Sequence, residues 1–204
     1  VTNPYNILYL SGFKGISPQE REAILVVASQ KATLITARLY QNEAKEIGSK
    51  DLKIKIVSER NQLISYAVEL LLGYTRIGFE ENDLRFSEYQ ELKKFSTGSN
   101  NKRAYCPRLR SNNNYLIPYK DLIEKMRLIK SADEIQKIER AQIISQEAFK
   151  AIIKTIKVGQ TEEEIADRLA KIIKSFGGHG LAFESIVASG SNSGKPHHLT
   201  SDRQ

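Results

Sequence analysis

The sequence predicts an α/β fold in which a mixed sheet is followed by a second, helix-rich region. In the first 95 residues, short apolar runs alternate with helical patterns, and after residue 115 the pattern changes to long helices. Alternation of this kind is typical of layered α/β domains. We therefore predict two domains, at residues 1–120 and 121–204, with the change of pattern between residues 115 and 131.

Four segments of the first region have the composition of strands. Residues 23–28 and 32–36 are apolar and are separated by three polar residues, a spacing that favours a hairpin. Residues 53–57 alternate lysine with apolar side chains, as a half-buried strand does, and residues 76–80 form a further short candidate. These strands predict the mixed sheet.

Two helices are expected between and after these strands. Residues 61–72 place six apolar side chains on one helical face, and Gly73 is suited to end the helix. Residues 86–95 can form a second helix. The first region thus contains the elements of an α/β layer domain with a mixed sheet.

The second region begins with two helix-start signals. Ser131 with Glu134 and Thr161 with Glu164 each fit a capping box, in which the two side chains satisfy free amides at the helix start. Apolar residues then recur at helical spacing after each cap. A strand is expected at residues 181–188.

Composition excludes several classes of protein. The chain has 204 residues with 40% hydrophobic and 27% charged residues, which is ordinary for a globular protein. No apolar run approaches the length of a membrane span, so no membrane partner is expected. The single cysteine, Cys106, allows no internal disulfide and fits a reducing compartment, so we expect a cytoplasmic protein.

The net charge of +7 comes from one stretch of the chain. Residues 92–120 contain seven lysines and arginines and no acidic residue, together with two clusters rich in serine and asparagine. Such clusters favour turns and loops. A nucleic-acid surface would need more aromatic residues among the charges than Tyr105 and Tyr115 provide. We interpret residues 96–114 as a solvated loop of unknown purpose and expect no nucleic-acid partner.

Five stretches carry a resemblance to a known family. They are residues 2–13, which include the Asn3-Pro4 pair, and residues 77–80, 126–134, 158–162 and 183–198. Together they cover nearly the whole chain, and it resembles the creatinase and prolidase-like peptidases, which include the Xaa-Pro aminopeptidases and Xaa-Pro dipeptidases. The resemblance implies a creatinase-like amino-terminal α/β domain followed by the first part of a pita-bread catalytic domain.

The resemblance also implies a reaction. In this family two divalent ions, commonly manganese, cobalt, iron or zinc, hold a bridging hydroxide that attacks the peptide carbonyl before proline. The two aspartates, one histidine and two glutamates that bind these ions in the family have no counterpart in residues 1–204. The chain is therefore expected to be an inactive fragment that binds no metal itself. The implied partners are proline-containing peptides and a second copy in a homodimer.

His197 is the candidate catalytic and substrate-binding residue. The family has a histidine directly after a proline in this loop, and Pro196-His197 is the match. The implied role is to contact the substrate near the scissile bond and to steady charge on the carbonyl oxygen, which a neutral imidazole can do by donating a hydrogen bond. Pro196 restricts the backbone immediately before His197. Gly190 and Gly194 are expected to allow close approach of the backbone.

The other candidate residues receive no comparable role. His179 and His198 have no specific assignment, and with His197 they lack the ligand spacing of a zinc site. Glu184 and Asp202 fall outside the metal motif of the family, and we interpret both as structural.

Two alternative functions stay open. The first is a non-catalytic member of the same fold that binds peptides or proteins. The second is metal-free hydrolysis of a carbon–nitrogen bond, as in creatinase, which would retain His197.

Overall fold

The computed structural model describes residues 1–15, 17, 19–96 and 115–204. The chain divides into two compact units, Val1–Ile129 and Lys130–Gln204, which we call the amino-terminal and carboxy-terminal units. The two units divide between residues 129 and 130, within the stretch 115–131 where the sequence pattern changes. This is nine residues after the boundary predicted at residue 120. Most of the basic loop, with Cys106, lies outside the described residues.

The amino-terminal unit contains a mixed three-stranded sheet. Strand β1 (Ala23–Val27) pairs antiparallel with β2 (Ala32–Ala37), and β2 pairs parallel with β3 (Leu52–Val57). The hairpin and the third strand lie where the sequence predicts them. Alternating residues of each strand point to opposite faces of the sheet, so the apolar runs of β1 and β2 can be buried on both faces.

A second pair of strands belongs to the same unit. Strand β4 (Arg76–Glu80) pairs parallel with β5 (Tyr115–Tyr119). The sequence predicts β4 but not β5. Pro118 lies inside β5, and a proline within a short run argues against a strand unless the strand has a free edge.

Helices cover both faces of the three-stranded sheet. On one face, Ile24 and Ile35 pack with α3 (Leu63–Leu70) and α4 (Phe86–Ser96). On the other face, Leu25 and Leu34 pack with residues of α1 (Pro4–Ser11) and α2 (Gln41–Ile47). Helix α5 (Leu122–Leu128) completes this unit. The core thus lies on both sides of the sheet, as the three-layer architecture requires.

The carboxy-terminal unit is built on two helices. Helix α6 (Ala132–Ile153) and helix α7 (Glu162–Ser175) pack against each other. Both begin with the predicted capping boxes, Ser131 with Glu134 and Thr161 with Glu164. On α6 the buried residues Ile144, Ala148 and Ile152 recur every fourth position, which places them on one face.

The strand predicted at residues 181–188 does not form. This segment is irregular, and a short 3₁₀ helix follows it at Gly190–Gly194. A strand needs a hydrogen-bonded neighbour, and no described segment pairs with this one. The apolar pattern is therefore present without the ladder that would make it a strand.

Among the described residues, no helix has both the length and the apolar content to cross a membrane.

Candidate functional site

His197 lies in the loop that joins the 3₁₀ helix to the end of the chain. Its side chain is exposed, and within the described residues no group hydrogen-bonds to it. Its backbone φ is 54°, in the left-handed region that non-glycine residues rarely adopt. The imidazole is therefore free to meet a molecule from solvent, while its backbone is held in an uncommon conformation.

The groups that hold this loop converge on Glu162, the first residue of α7. Its Oε1 atom accepts hydrogen bonds from the Ser189 amide at 2.7 Å, the Ser189 hydroxyl at 3.1 Å and the Asn192 amide group at 3.1 Å. Its Oε2 atom accepts from the Ser201 amide at 3.2 Å and the Ser201 hydroxyl at 2.8 Å, and it lies 2.8 Å from His198 Nε2. The side chain of Glu162 is 1% exposed.

These contacts determine the charge state of Glu162. Burial by itself raises the pKa of the carboxyl, but the hydrogen bonds from His198, Ser189, Asn192 and Ser201 outweigh it and hold the pKa well below its usual range. An ionised carboxylate can only accept hydrogen bonds, so His198 Nε2 must carry the proton in this contact. The pair is thus a charge-assisted hydrogen bond in a nearly dry setting.

The backbone of α7 makes further contacts with the end of the chain. The Glu162 amide donates to the Arg203 carbonyl at 2.9 Å, and the Glu163 amide donates to the Ser201 carbonyl at 3.1 Å. These are free amides of the first helical turn, which need partners from outside the helix. The segment 201–203 therefore satisfies the start of α7.

The two glycines of this loop have different surroundings. Gly190 has a φ of 51°, which favours glycine, and a Cβ placed there would lie 2.7 Å from Arg203 Nη2. A Cβ on Gly194 would meet nothing within 4 Å. The close approach of the backbone expected at both glycines stays a prediction. Lys195 donates from Nζ to Asn192 Oδ1 at 2.9 Å, which leaves the Asn192 amide group to face Glu162.

The remaining candidates divide into those near this loop and those apart from it. His198, which had no assigned role, is part of the Glu162 cluster. His179, Glu184 and Asp202 are exposed and make no contact with Glu162. Sequence reasoning missed Glu162 because its neighbour Glu164 explained the helix start. The available signal was its place in the stretch 158–162.

Two further stretches that carry the resemblance meet in the amino-terminal unit. Glu80, at the end of β4, accepts from the amides of Thr2 at 2.5 Å and Asn3 at 2.8 Å, and from the side chain of Asn6 at 2.7 Å. Asn6 is fully buried and also contacts Glu124 and Arg127. Because all of these groups satisfy one another, this cluster fixes the start of α1.

The described residues do not form a two-metal centre. Nowhere in the described parts of the chain do three or more histidine, cysteine, aspartate or glutamate side chains come together to hold a metal ion. The donors around Glu162 are hydroxyls, amides and one protonated ring nitrogen, which offer a metal ion few free lone pairs. This cluster is therefore suited to hold a loop and unsuited to bind a cation.

Comparison with known families identifies both parts of the chain. Residues 1–129 match the creatinase/prolidase N-terminal domain, and residues 136–204 match metallopeptidase family M24. The fold therefore defines an M24-type α/β protein. The chain belongs to the creatinase and prolidase family, as its motifs indicate.

Individual relatives agree with this assignment. An uncharacterised peptidase, YqhT, of Bacillus subtilis is 29% identical over all of this chain and 52% of its own length. A Xaa-Pro dipeptidase of Pyrococcus horikoshii is 29% identical over 99% of this chain and 50% of its own length. The chain thus spans about half the length of the curated relatives it matches.

Solved structures extend the similarity to the fold. A Xaa-Pro dipeptidase from Bacillus anthracis matches with a TM-score of 0.78 and 26% identity, over 99% of this chain and 51% of its own. An X-Pro aminopeptidase from Thermotoga maritima matches with a TM-score of 0.75 and 28% identity, over 100% of this chain and 53% of its own. These matches confirm the predicted fold class, an α/β domain with a mixed sheet followed by part of the M24 domain.

Proposed function

We propose that this chain is part of a Xaa-Pro metallopeptidase that hydrolyses the peptide bond before proline. The observation that carries the proposal is the placement of His197, which is exposed on a loop whose two ends are fixed by a buried carboxylate. Similarity to Xaa-Pro dipeptidases over nearly the whole chain supports it.

The role of His197 follows from its exposure and its chemistry. A neutral imidazole can donate a hydrogen bond to the oxygen of the scissile carbonyl, where negative charge develops during attack. Its value depends on being held in place before the substrate arrives, because reorganisation during the reaction would reduce the stabilisation. The fixed loop ends provide that preorganisation.

We propose that the metal-binding residues of the site lie in a part of the enzyme outside these 204 residues. The proposed reaction requires two divalent metal ions, and in the described residues no group of three or more possible metal ligands comes together. We propose that the 204 residues alone are inactive and that the enzyme contains the remainder of a pita-bread domain. We also propose a cytoplasmic homodimer acting on proline-containing dipeptides or longer peptides.

The test is hydrolysis of Xaa-Pro dipeptides and a Xaa-Pro-Xaa tripeptide with added manganese. Four proteins are compared: the 204-residue chain, the full product of its gene, and the full product with either His197→Ala or His179→Ala. His179→Ala is the matched control, because His179 is an exposed histidine of the same unit without contact to Glu162. We expect activity only in the full product, reduced about 100-fold or more by His197→Ala and unchanged by His179→Ala.

Other outcomes would redirect the assignment. A well-folded full product without activity on any of these peptides would favour the peptide-binding or protein-binding alternative. Hydrolysis by the 204-residue chain itself would contradict the proposal that its metal ligands lie elsewhere. Equal loss from both histidine variants would remove the specific role of His197.

A further inference from the structure

The carboxylate of Glu162 receives an unusual number of hydrogen bonds for one side chain. Six contacts at 2.7 to 3.2 Å reach its two oxygen atoms, from four different residues. Two carboxylate oxygens have about four lone-pair positions, so every one of them is used. No capacity is left for a substrate or a metal, and the function of Glu162 must be directed at the loop.

The two oxygen atoms contact opposite ends of the loop. Oε1 binds Ser189 and Asn192 at its beginning, and Oε2 binds His198 and Ser201 at its end. One rigid group therefore closes a loop of thirteen residues, 189 to 201, which otherwise would have many conformations. The proposed substrate contact, His197, lies inside this closed loop.

Glu162 has a fixed position because it belongs to the first turn of α7. It is the first residue of a 14-residue helix, where the helix dipole favours a negative charge. The capping box of Thr161 and Glu164 fixes the same turn. The loop is thereby attached to a regular element and not to another loop, which gives the more accurate placement.

The backbone of His197 shows what this attachment accomplishes. A φ of 54° at a non-glycine residue costs free energy and persists only where the surroundings fix it. His198, the residue after His197, is held by Glu162 at 2.8 Å. Pro196, the residue before His197, has a restricted φ. Release of His198 would let His197 relax to an ordinary conformation and change the direction of its imidazole.

We infer that Glu162 is a positioning residue that sets the conformation of the 189–201 loop and through it the direction of the His197 side chain. The inference rests on the proposed function only for its catalytic consequence. The structural part concerns this chain alone. The two parts can therefore fail separately.

The structural part is tested by NMR of the 204-residue chain with ¹⁵N- and ¹³C-labelled histidine. Glu162→Gln keeps the size of the side chain but replaces one acceptor oxygen by a donor that would face other donors. We expect the ring and Cα resonances of His197 and His198 to move, while those of His179 stay in place. Glu163→Gln is the matched control, because Glu163 is adjacent and exposed.

A milder variant covers the case in which Glu162→Gln unfolds the unit. Ser201→Ala removes one hydroxyl donor and retains the backbone amide donor to the same oxygen. It should move the His197 resonances in the same direction by a smaller amount. Unchanged His197 resonances in both variants would overturn the inference.

The catalytic part uses the full product of the gene with the same peptides. Glu162→Gln should lower kcat at least about tenfold with little change in KM, since a misdirected His197 loses contact mainly in the transition state. Glu162→Asp, which keeps the charge, should recover part of the loss. The double variant with His197→Ala should be no slower than His197→Ala alone.

Additive losses in the double variant would show that Glu162 acts independently of His197 and would overturn the inference. If the full product is inactive, the proposed function fails, but the NMR measurement still decides whether Glu162 positions the loop.

Discussion

Each of the two compact units buries a glutamate, and the two carboxylates have opposite surroundings. In the amino-terminal unit the side chain of Glu22 is 3% exposed, and its Oε1 pairs with Arg60 at 2.7 Å. Tyr40 and Glu20 also interact with this carboxyl group. Its Oε2 is buried without a hydrogen bond from the described residues. In the carboxy-terminal unit Glu162 is 1% exposed and has six donors.

The pKa values of the two groups move in opposite directions. Burial raises the pKa of Glu22, the neighbouring Glu20 adds to the rise, and Arg60 opposes it. Burial acts in the same direction on Glu162 but is outweighed by its donors, and the pKa falls. Burial alone therefore does not determine the charge of a carboxylate. The hydrogen-bond donors and charged groups that contact it decide whether its pKa rises or falls.

The largest effect is expected from removal of the Glu162 side chain. Glu162→Ala leaves the donors of Ser189, Asn192, His198 and Ser201 without their acceptor, and buried donors without partners are costly. We expect the Ser189 and Ser201 amides to lose about tenfold or more of their hydrogen-exchange protection. Glu163→Ala is the control and should leave both amides protected.

A large effect of acid is also expected on the contribution that Glu162 makes to the carboxy-terminal unit. Glu162 has a lowered pKa, so its contribution to stability is complete above the unfolded value of about 4.3. It declines as the pH falls below that value. Urea denaturation from pH 3 to pH 7, followed by NMR peaks of each unit, measures this decline in the carboxy-terminal unit. A decline of the same size in Glu162→Gln would contradict the assignment.

An intermediate effect is expected at Gly190. Gly190→Ala meets both a positive φ and the guanidinium of Arg203, so we expect destabilisation of more than about 1 kcal/mol. Gly194→Ala is the matched control, since a Cβ there has open space. Thermal unfolding of the two variants compares them directly. Similar melting temperatures would mean that the loop does not depend on this contact.

A smaller effect is expected at the two helix caps. Ser131→Ala and Thr161→Ala each remove one capping oxygen, at a cost of about 1 kcal/mol. Only Thr161→Ala should also move the NMR resonances of His198, because Thr161 holds the turn that carries Glu162. Movement in both variants would indicate that the His198 resonance reports general loosening of the unit.

The smallest effect is expected at Glu22. Its raised pKa means that its contribution to stability is complete below about pH 4.3 and is lost as the pH rises through the folded value. Glu22→Gln should therefore change stability little at pH 4 and flatten the pH dependence of the amino-terminal unit above it. Urea denaturation at pH 4 and pH 7 is the measurement, with Glu46→Gln as the control, because Glu46 is an exposed residue of the same unit.

Much of the fold was predictable because it depends on local patterns. The hairpin of β1 and β2, strand β3 and both capping boxes lie where polar and apolar residues indicate them. Strand β5 was missed because residues 115–119 lie where the pattern was taken to change to long helices, and Pro118 gives this segment no strand-like pattern. The strand expected at 181–188 was wrong because an apolar pattern does not supply a pairing partner.

The candidate site was only half predictable for a similar reason. His197 could be proposed from the sequence because the family it resembles has a histidine directly after a proline in this loop, and its role stays a prediction. Glu162 lies in a stretch that carries the resemblance, but its role was missed because its partners Ser189 and Ser201 lie 27 and 39 residues further along and meet it only in the folded unit. Short-range spacing contains no information about such contacts.

Local patterns of polar and apolar residues were enough to predict the class of fold, and a resemblance to a family was enough to propose His197 as a substrate contact. Both depend on residues that are close together in the chain. Which buried carboxylate is satisfied, which segment becomes a strand and how the His197 loop is held became clear only in the folded units. Those outcomes depend on hydrogen-bond partners that are distant in the chain, and only folding brings such partners together.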